Sequence, residues 1–147
     1  MNYIDQLKAN ISDLTQKTLS DEFGWVRENQ TTYYCEVERE QDNSENPSTL
    51  SFLISIQQVR NSSVGISPKD LYEAANQTLG EMAAEMSTFR YILQIKDLNL
   101  NRIALKADTL DDVYGSQMYV HLAQLYKAVR EQVSSQSLDA FNTVLGN

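Results

Sequence analysis

Cysteine and histidine each occur once in the 147 residues, as Cys35 and His121. A single chain of this kind has no internal disulfide and no Cys/His zinc cluster. Any Ser/His/Asp or Cys/His nucleophilic arrangement has to run through His121. Glycine (5) and proline (2) are scarce, which excludes collagen-like and low-complexity architectures. The glycines, at 24, 65, 80, 115 and 146, are scattered. There is no G-x-x-x-x-G-K, G-x-G-x-x-G, G-x-S-x-G or H-E-x-x-H, so the sequence offers no phosphate-cradling loop, nucleophile elbow or zincin helix. Lys/Arg runs are absent, and no apolar run reaches the roughly 18 residues of a membrane span. Asp5 and Asp13 interrupt any apolar leader core. Cytoplasmic residence is the expectation, and it leaves room for a leader removed ahead of Met1. A lone cysteine fits a reducing compartment.

What is present is globular composition: 41% hydrophobic and 22% charged residues. Residues 1–147 read as a single domain, large enough to bury a core without disulfides or a metal. The net charge is −8. Residues 1–45 carry a balance of −6 and residues 46–147 a balance of −2. Acidic proteins are repelled by phosphate backbones and anionic lipid, so nucleic acid and membranes are poor partners. A basic protein partner is permitted.

The apolar pattern sets the expected elements. Ile4, Leu7, Ile11, Leu14 and Thr18 recur at helical spacing, with Asn2 as the N-cap. Thr31 to Arg39 alternates as a strand, with Tyr33, Cys35 and Val37 against Tyr34, Glu36 and Glu38. A polar connection, residues 41–49, leads to a second strand from Leu50 to Val59. There Leu50, Phe52, Ile54 and Ile56 share one face, with Leu53 and Val59 opposite. An antiparallel pair is expected. Ser67, Pro68 and Asp70 open a second helix, whose stripe of Leu71, Ala75, Met82, Met86 and Phe89 ends near residue 88. Tyr91–Ile95 and Ile103–Ala107 are short strands. Asp108 then caps a third helix carrying Leu110, Tyr114, Met118, Leu122, Leu125, Val129 and Val133. Ser134–Ser137 is a break, and Leu138–Leu145 a short closing helix. The fold class is α+β: an antiparallel sheet with packed helices in the order α-β-β-α-β-β-α plus a short C-terminal helix.

No set of residues stands out as chemical machinery. No catalytic, cofactor-binding or metal-binding residue is assigned, and no cofactor is expected. His121 reads as a structural or surface histidine, and Cys35 as core. Glu36, Glu38, Glu40 and Asp42 recur at period two and project from one face of a strand. Such a row is a solvated edge that keeps the protein soluble, or a docking face for a basic partner. It lacks calcium-loop spacing. Glu81 with Glu85, and Asp111 with Asp112, read as helix surface and dipole matching. Phe23, Trp25, Tyr33 and Tyr34 form an aromatic cluster suited to core or interface.

The helix of residues 4–19, the Tyr33–Val37 and Leu50–Val59 strands, the Leu71–Phe89 helix, the later strand pair and the Leu110–Val133 helix together resemble the class I type III secretion chaperones and the related YbjN-type domains. The reading counts four strands where such chaperones carry five, and the tail Leu138–Leu145 is additional. The resemblance implies a non-enzymatic homodimer that binds an unfolded segment of a secreted protein. The chain also resembles a Mog1/PsbP-like sandwich, which requires Met118–Val129 to be a strand. The expectation is a small acidic chaperone or adaptor that binds a protein, a secreted effector or a basic protein. The alternatives are an immunity or inhibitor protein, or a Mog1/PsbP-like accessory protein. Its candidate contact residues are Leu50, Phe52, Ile54, Ile56, Trp25, Tyr34, Glu36, Glu38 and Glu40, with strand addition at a sheet edge near Leu50–Val59.

Overall fold

The computed structural model describes residues 2–41, 48–60, 88–109 and 115–147. Helix α1 spans Tyr3–Leu19. As the sequence predicts, Asn2 caps it: its Oδ1 accepts the Asp5 N–H at 2.8 Å. The chain leaves α1 through a Schellman turn. The Glu22 N–H donates to Lys17 O and the Asp21 N–H to Thr18 O, with Asp21 at φ +60° in the left-handed position.

Among the described residues five strands follow: β1 (Val26–Arg27), β2 (Thr32–Gln41), β3 (Ser48–Arg60), β4 (Phe89–Asp97) and β5 (Arg102–Asp108). They form one sheet in the order β1-β2-β3-β4-β5, antiparallel throughout. The predicted pairing of β2 with β3 holds over ten residue pairs, from Thr32↔Gln57 to Gln41↔Ser48. The fifth strand, β1, is only two residues long and too short for a periodic signal. It pairs Val26↔Tyr34 and Arg27↔Tyr33. The β4–β5 turn is held by Asp97, whose Oδ1 accepts the N–H groups of Asn99 and Leu100.

Helix α2 spans Gly115–Leu145 without interruption. The break expected at Ser134–Ser137 is absent. Serine costs only a few tenths of a kcal/mol in a helix interior, and no Gly or Pro lies between Gly115 and Gly146. The Ser137 hydroxyl donates to Val133 O, one turn back. Residues 118–129 are therefore helix, which removes the strand that the Mog1/PsbP-like likeness requires. The turn that Asp108 is expected to cap lies outside the described residues. Asp108 itself ends β5, buried, 3.9 Å from Arg90. Residues 67–87 of the second predicted helix lie outside the described residues, as do Asp42, Glu81, Glu85, Met82, Met86, Leu110, Asp111, Asp112 and Tyr114; Phe89, expected on that helix's stripe, instead opens β4, where it pairs with Arg60. Among the described residues the order is α-β-β-β-β-β-α, not α-β-β-α-β-β-α.

Both helices lie on one face of the sheet. Ile4, Leu7 and Ile11 of α1 and Met118, Leu122, Leu125 and Val129 of α2 are buried. They meet Tyr33, Cys35 and Val37 of β2, Ile54 and Ile56 of β3, Tyr91 and Leu93 of β4, and Ala107 of β5. Full burial of each large aliphatic side chain contributes roughly 1.5–3 kcal/mol. Tyr126 makes edge or tilted ring contacts with Tyr33 and Tyr91, at 5.7 and 5.5 Å, and Tyr119 meets Tyr91 at 5.4 Å. The helices run parallel: Gln117 lies beside Asn2–Asp5, and Gln132 reaches Thr18.

Gln132, only 7% exposed, ties α2 to the segment after α1. Its Oε1 accepts the Trp25 N–H, and its Nε2 donates to Thr18 O, Asp21 Oδ1 and Phe23 O. The Trp25 indole N–H donates to the Thr18 hydroxyl at 3.0 Å. Beyond Val133, α2 leaves the core. Leu138, Phe141, Val144 and Leu145 are all more than half exposed. This tail, Ser134–Leu145, is about 18 Å long at 1.5 Å per residue.

Candidate functional site

The open side of β2 is the candidate interface. In an antiparallel strand each residue points its N–H and C=O to the same side, and successive residues alternate sides. The Glu28 N–H donates to Thr32 O, so Thr32 faces β1; the Gln58 N–H donates to Thr31 O, so Thr31 faces β3. By that period, Tyr34, Glu36, Glu38 and Glu40 present their main-chain groups to the β1 side. Yet β1 reaches only as far as Tyr34. Among the described residues, β2 from Glu36 onward is paired on one side only.

Side chains alternate with the same period. Tyr33, Cys35, Val37 and Arg39 point to the helix face, where the Arg39 guanidinium lies 5.7 Å over the Phe23 ring. Tyr34, Glu36, Glu38 and Glu40 point to the opposite face. Tyr34 is half-buried and the three glutamates are exposed. Three carboxylates thus line an edge whose backbone also has groups to offer. A second copy of this edge is repelled by like charge, and a strand bearing positive side chains is attracted.

The predicted contact residues divide between two faces. Ile54, Ile56 and Trp25 are buried in the core. Leu50 and Phe52 are half-buried. Strand addition beside Leu50–Val59 is overturned by the topology, because β3 is the middle strand and β2 and β4 flank it. The one stretch of β3 that β4 does not reach is closed by Asn99. Its Oδ1 accepts the Ser51 N–H and its Nδ2 donates to Thr49 O, as a neighbouring peptide group does in a sheet. Of the predicted set, Glu36, Glu38 and Glu40 lie together at an edge that is open among the described residues, with Tyr34 beside them where β1 ends.

Beside that edge, on the face away from the helices, is a recess of about 750 Å³ over β1, β2 and β3. Thr32, Tyr34 and Glu36 form one wall, Leu53, Ser55 and Gln57 the other. Arg27, Glu28 and Asn29 close one end. The Arg27 Nε donates to Asn29 O. Thr32 is 7% exposed, and its hydroxyl has no hydrogen-bond partner. The sequence reading passed over Thr32, Ser55 and Gln57. Their signal was the polar alternation Ser55, Gln57 against Ile54, Ile56, which marks one side of the strand as chemically distinct.

A second cleft of about 390 Å³ lies between α2 and β4, with Tyr91, Tyr119, Tyr126, Lys127 and Arg130 on its walls. Burial pushes the Tyr126 phenol above its ordinary value, with Tyr33 adding to the rise and Arg130 opposing it. Burial also raises the Cys35 thiol, against a backbone hydrogen bond from Gly24. Cys35 is core, as predicted. His121 is half-buried on α2, with Nδ1 shielded and unpartnered. Among the described residues no three His, Cys, Asp or Glu side chains cluster in the manner of a metal site. No described helix is long and apolar enough to cross a membrane. No family model, curated protein or solved structure matches the chain.

Proposed function

We propose that the protein is a non-enzymatic binding module, a small acidic chaperone or adaptor that takes an extended segment of a basic partner protein onto the free edge of β2. The observation that carries this reading is the register of β2. The same residues, Glu36, Glu38 and Glu40, turn their backbone groups to an edge that is unpaired among the described residues, and their carboxylates to one face of it. Main-chain hydrogen bonds supply affinity in strand addition, and alternate side chains supply specificity. A segment with Lys or Arg at every second position matches the row. Among the described residues the sheet has five strands, counting Val26–Arg27, the number carried by the type III secretion chaperones that the sequence resembles. The homodimer that the resemblance implies belongs to the same proposal and is read by light scattering as twice 16.7 kDa.

The test is a proline scan of β2. Glu38→Pro removes an N–H that faces the open edge and leaves the β2–β3 ladder whole. Val37→Pro removes one that faces β3. Glu38→Pro is expected to remain folded and to lose binding of a fluorescent, alternating valine–arginine peptide, measured by anisotropy. Val37→Pro is expected to unfold or melt well below the parent. Binding to the Glu38→Pro variant with unchanged affinity removes the β2 edge as the site.

A further inference from the structure

We infer that the end of α2, Ser134–Leu145, is a self-association surface that pairs antiparallel with the same stretch of a second copy of this chain. The inference rests on the homodimer of the proposed function, not on the β2 edge, and gives that homodimer its surface. Leu138, Phe141 and Leu145 stand three and four residues apart, the spacing of a two-helix seam. They are 60%, 60% and 57% exposed, and Val144 beside them is 82% exposed. At about 100° per residue, this row lies roughly 160° around the helix from the buried row Met118, Leu122, Leu125 and Val129. The tail is therefore not the core stripe running on past the sheet. It carries a second apolar row, opposite the side that α2 turns to the core, and among the described residues no element covers it.

Charge, area and geometry name the occupant. Residues 134–147 carry one charged side chain, Asp139, in a chain that is 22% charged with a net charge of −8. Acidic surfaces keep two copies apart, and along this row that repulsion is missing. The four exposed side chains present roughly 450 Å² of apolar surface, the size of the largest patch on a typical monomer. Two rows face to face remove about 900 Å² from water, and their polar flanks carry the contact past the roughly 1,000 Å² of a specific interface. Packed antiparallel, Leu138 of each copy meets Phe141 of the other and Leu145 meets Ser134, while Asp139 lies outside the row. A two-fold axis closes this arrangement, as an isologous dimer requires. It also holds the two acidic bodies at opposite ends, about 20 Å apart along the axis, beyond the Debye length of about 8 Å at physiological ionic strength. Parallel tails would set those bodies side by side.

The test is a charge-swap pair on the full chain, read by sedimentation equilibrium. The parent is expected to shift from 16.7 kDa toward twice that mass as its concentration rises through the micromolar range. Leu138→Glu and Phe141→Lys are each expected to weaken that association at least about tenfold. Both are expected to melt with the dilute parent, because both positions are exposed. Their equimolar mixture is expected to recover the doubled mass. Antiparallel tails set the introduced carboxylate against the introduced ammonium in one layer and keep leucine against phenylalanine in the other. A parent that stays at 16.7 kDa overturns the inference together with the homodimer, and leaves the β2 edge to its own peptide assay. A dimer that survives both substitutions lies on another surface and overturns the inference alone. A mixture that stays monomeric overturns the antiparallel register and the inference with it. Variants that melt below the dilute parent give the tail a role within one copy and overturn the inference too. Failure of the valine–arginine peptide to bind a parent that dimerises through the tail removes the β2 edge and leaves the inference standing.

Discussion

Replacing Gln132 with leucine tests how α2 is joined to the rest of the fold. The change is close in volume and removes four hydrogen bonds. Three of the four partners keep an outlet. Thr18 O still accepts the Asp21 N–H, and the contacts to the Asp21 carboxylate and to Phe23 O are part-buried, where water can replace the lost donor. The Trp25 N–H is buried and keeps none. A buried group left unpaired costs about 1–3 kcal/mol, and the added apolar burial offsets a fraction of this. A net loss of about 2 kcal/mol is expected. In a domain of this size about 1 kcal/mol moves the melting temperature by roughly 3 °C, so the variant should melt about 6 °C lower. Trp25 is the only tryptophan, is 2% exposed, and sits at the joint. Its fluorescence therefore reports both local opening and global unfolding. Gln132→Glu keeps the acceptor for Trp25, loses both donors and sets a second carboxylate beside Asp21. The folded state raises the pKa of that carboxyl above its unfolded value of about 4.3. The variant is thus best tolerated below about pH 4 and loses stability as pH rises through the folded-state pKa. A leucine variant melting within about 3 °C of the parent refutes the argument that Gln132 fastens the joint.

Three further outcomes are expected. Cys35 should resist thiol reagents in the folded state at neutral pH and react on unfolding. Because burial raises its pKa above the ordinary 9.0, its stabilisation is complete below about pH 9 and is lost as pH climbs further; Tyr126 acts in the same direction from 10.0. Thermal melts from neutral to alkaline pH check the slope, and a flat profile contradicts it. Leu122→Ala, at a fully buried position on α2, should cost about 2–5 kcal/mol in a urea titration. Removing residues 134–147 should cost less than about 1 kcal/mol, because this stretch is almost wholly exposed. A large loss there means that the α2 tail packs against something.

Much of the frame was legible locally. The α1 cap and stripe, the β2–β3 pairing, the buried stripe from Met118 to Val129 and the burial of Cys35 follow from period and capping alone. The failures have physical causes. A two-residue strand such as β1 carries no periodicity. The serine-rich stretch 134–137 looks like a stop, but weak local preference yields to a helix already propagating from both sides.

For the candidate interface, the sequence by itself determined which residues share a face: the alternation of Glu36, Glu38 and Glu40 against Cys35, Val37 and Arg39 fixes their sides, because successive side chains of a strand point in opposite directions. It also set the acidic charge and the lack of nucleophile and metal-ligand motifs. Only the tertiary structure decided which strand has a free edge. Strand order is a property of pairing between distant segments, and the residues of β3 read as an edge as readily as those of β2. The sheet put β3 in the middle, burying Ile54 and Ile56 beneath α2, and among the described residues left β2 open beyond Tyr34, because β1 stops after two residues. The recess likewise exists only once Thr32, Ser55 and Gln57 are brought into register across β2 and β3.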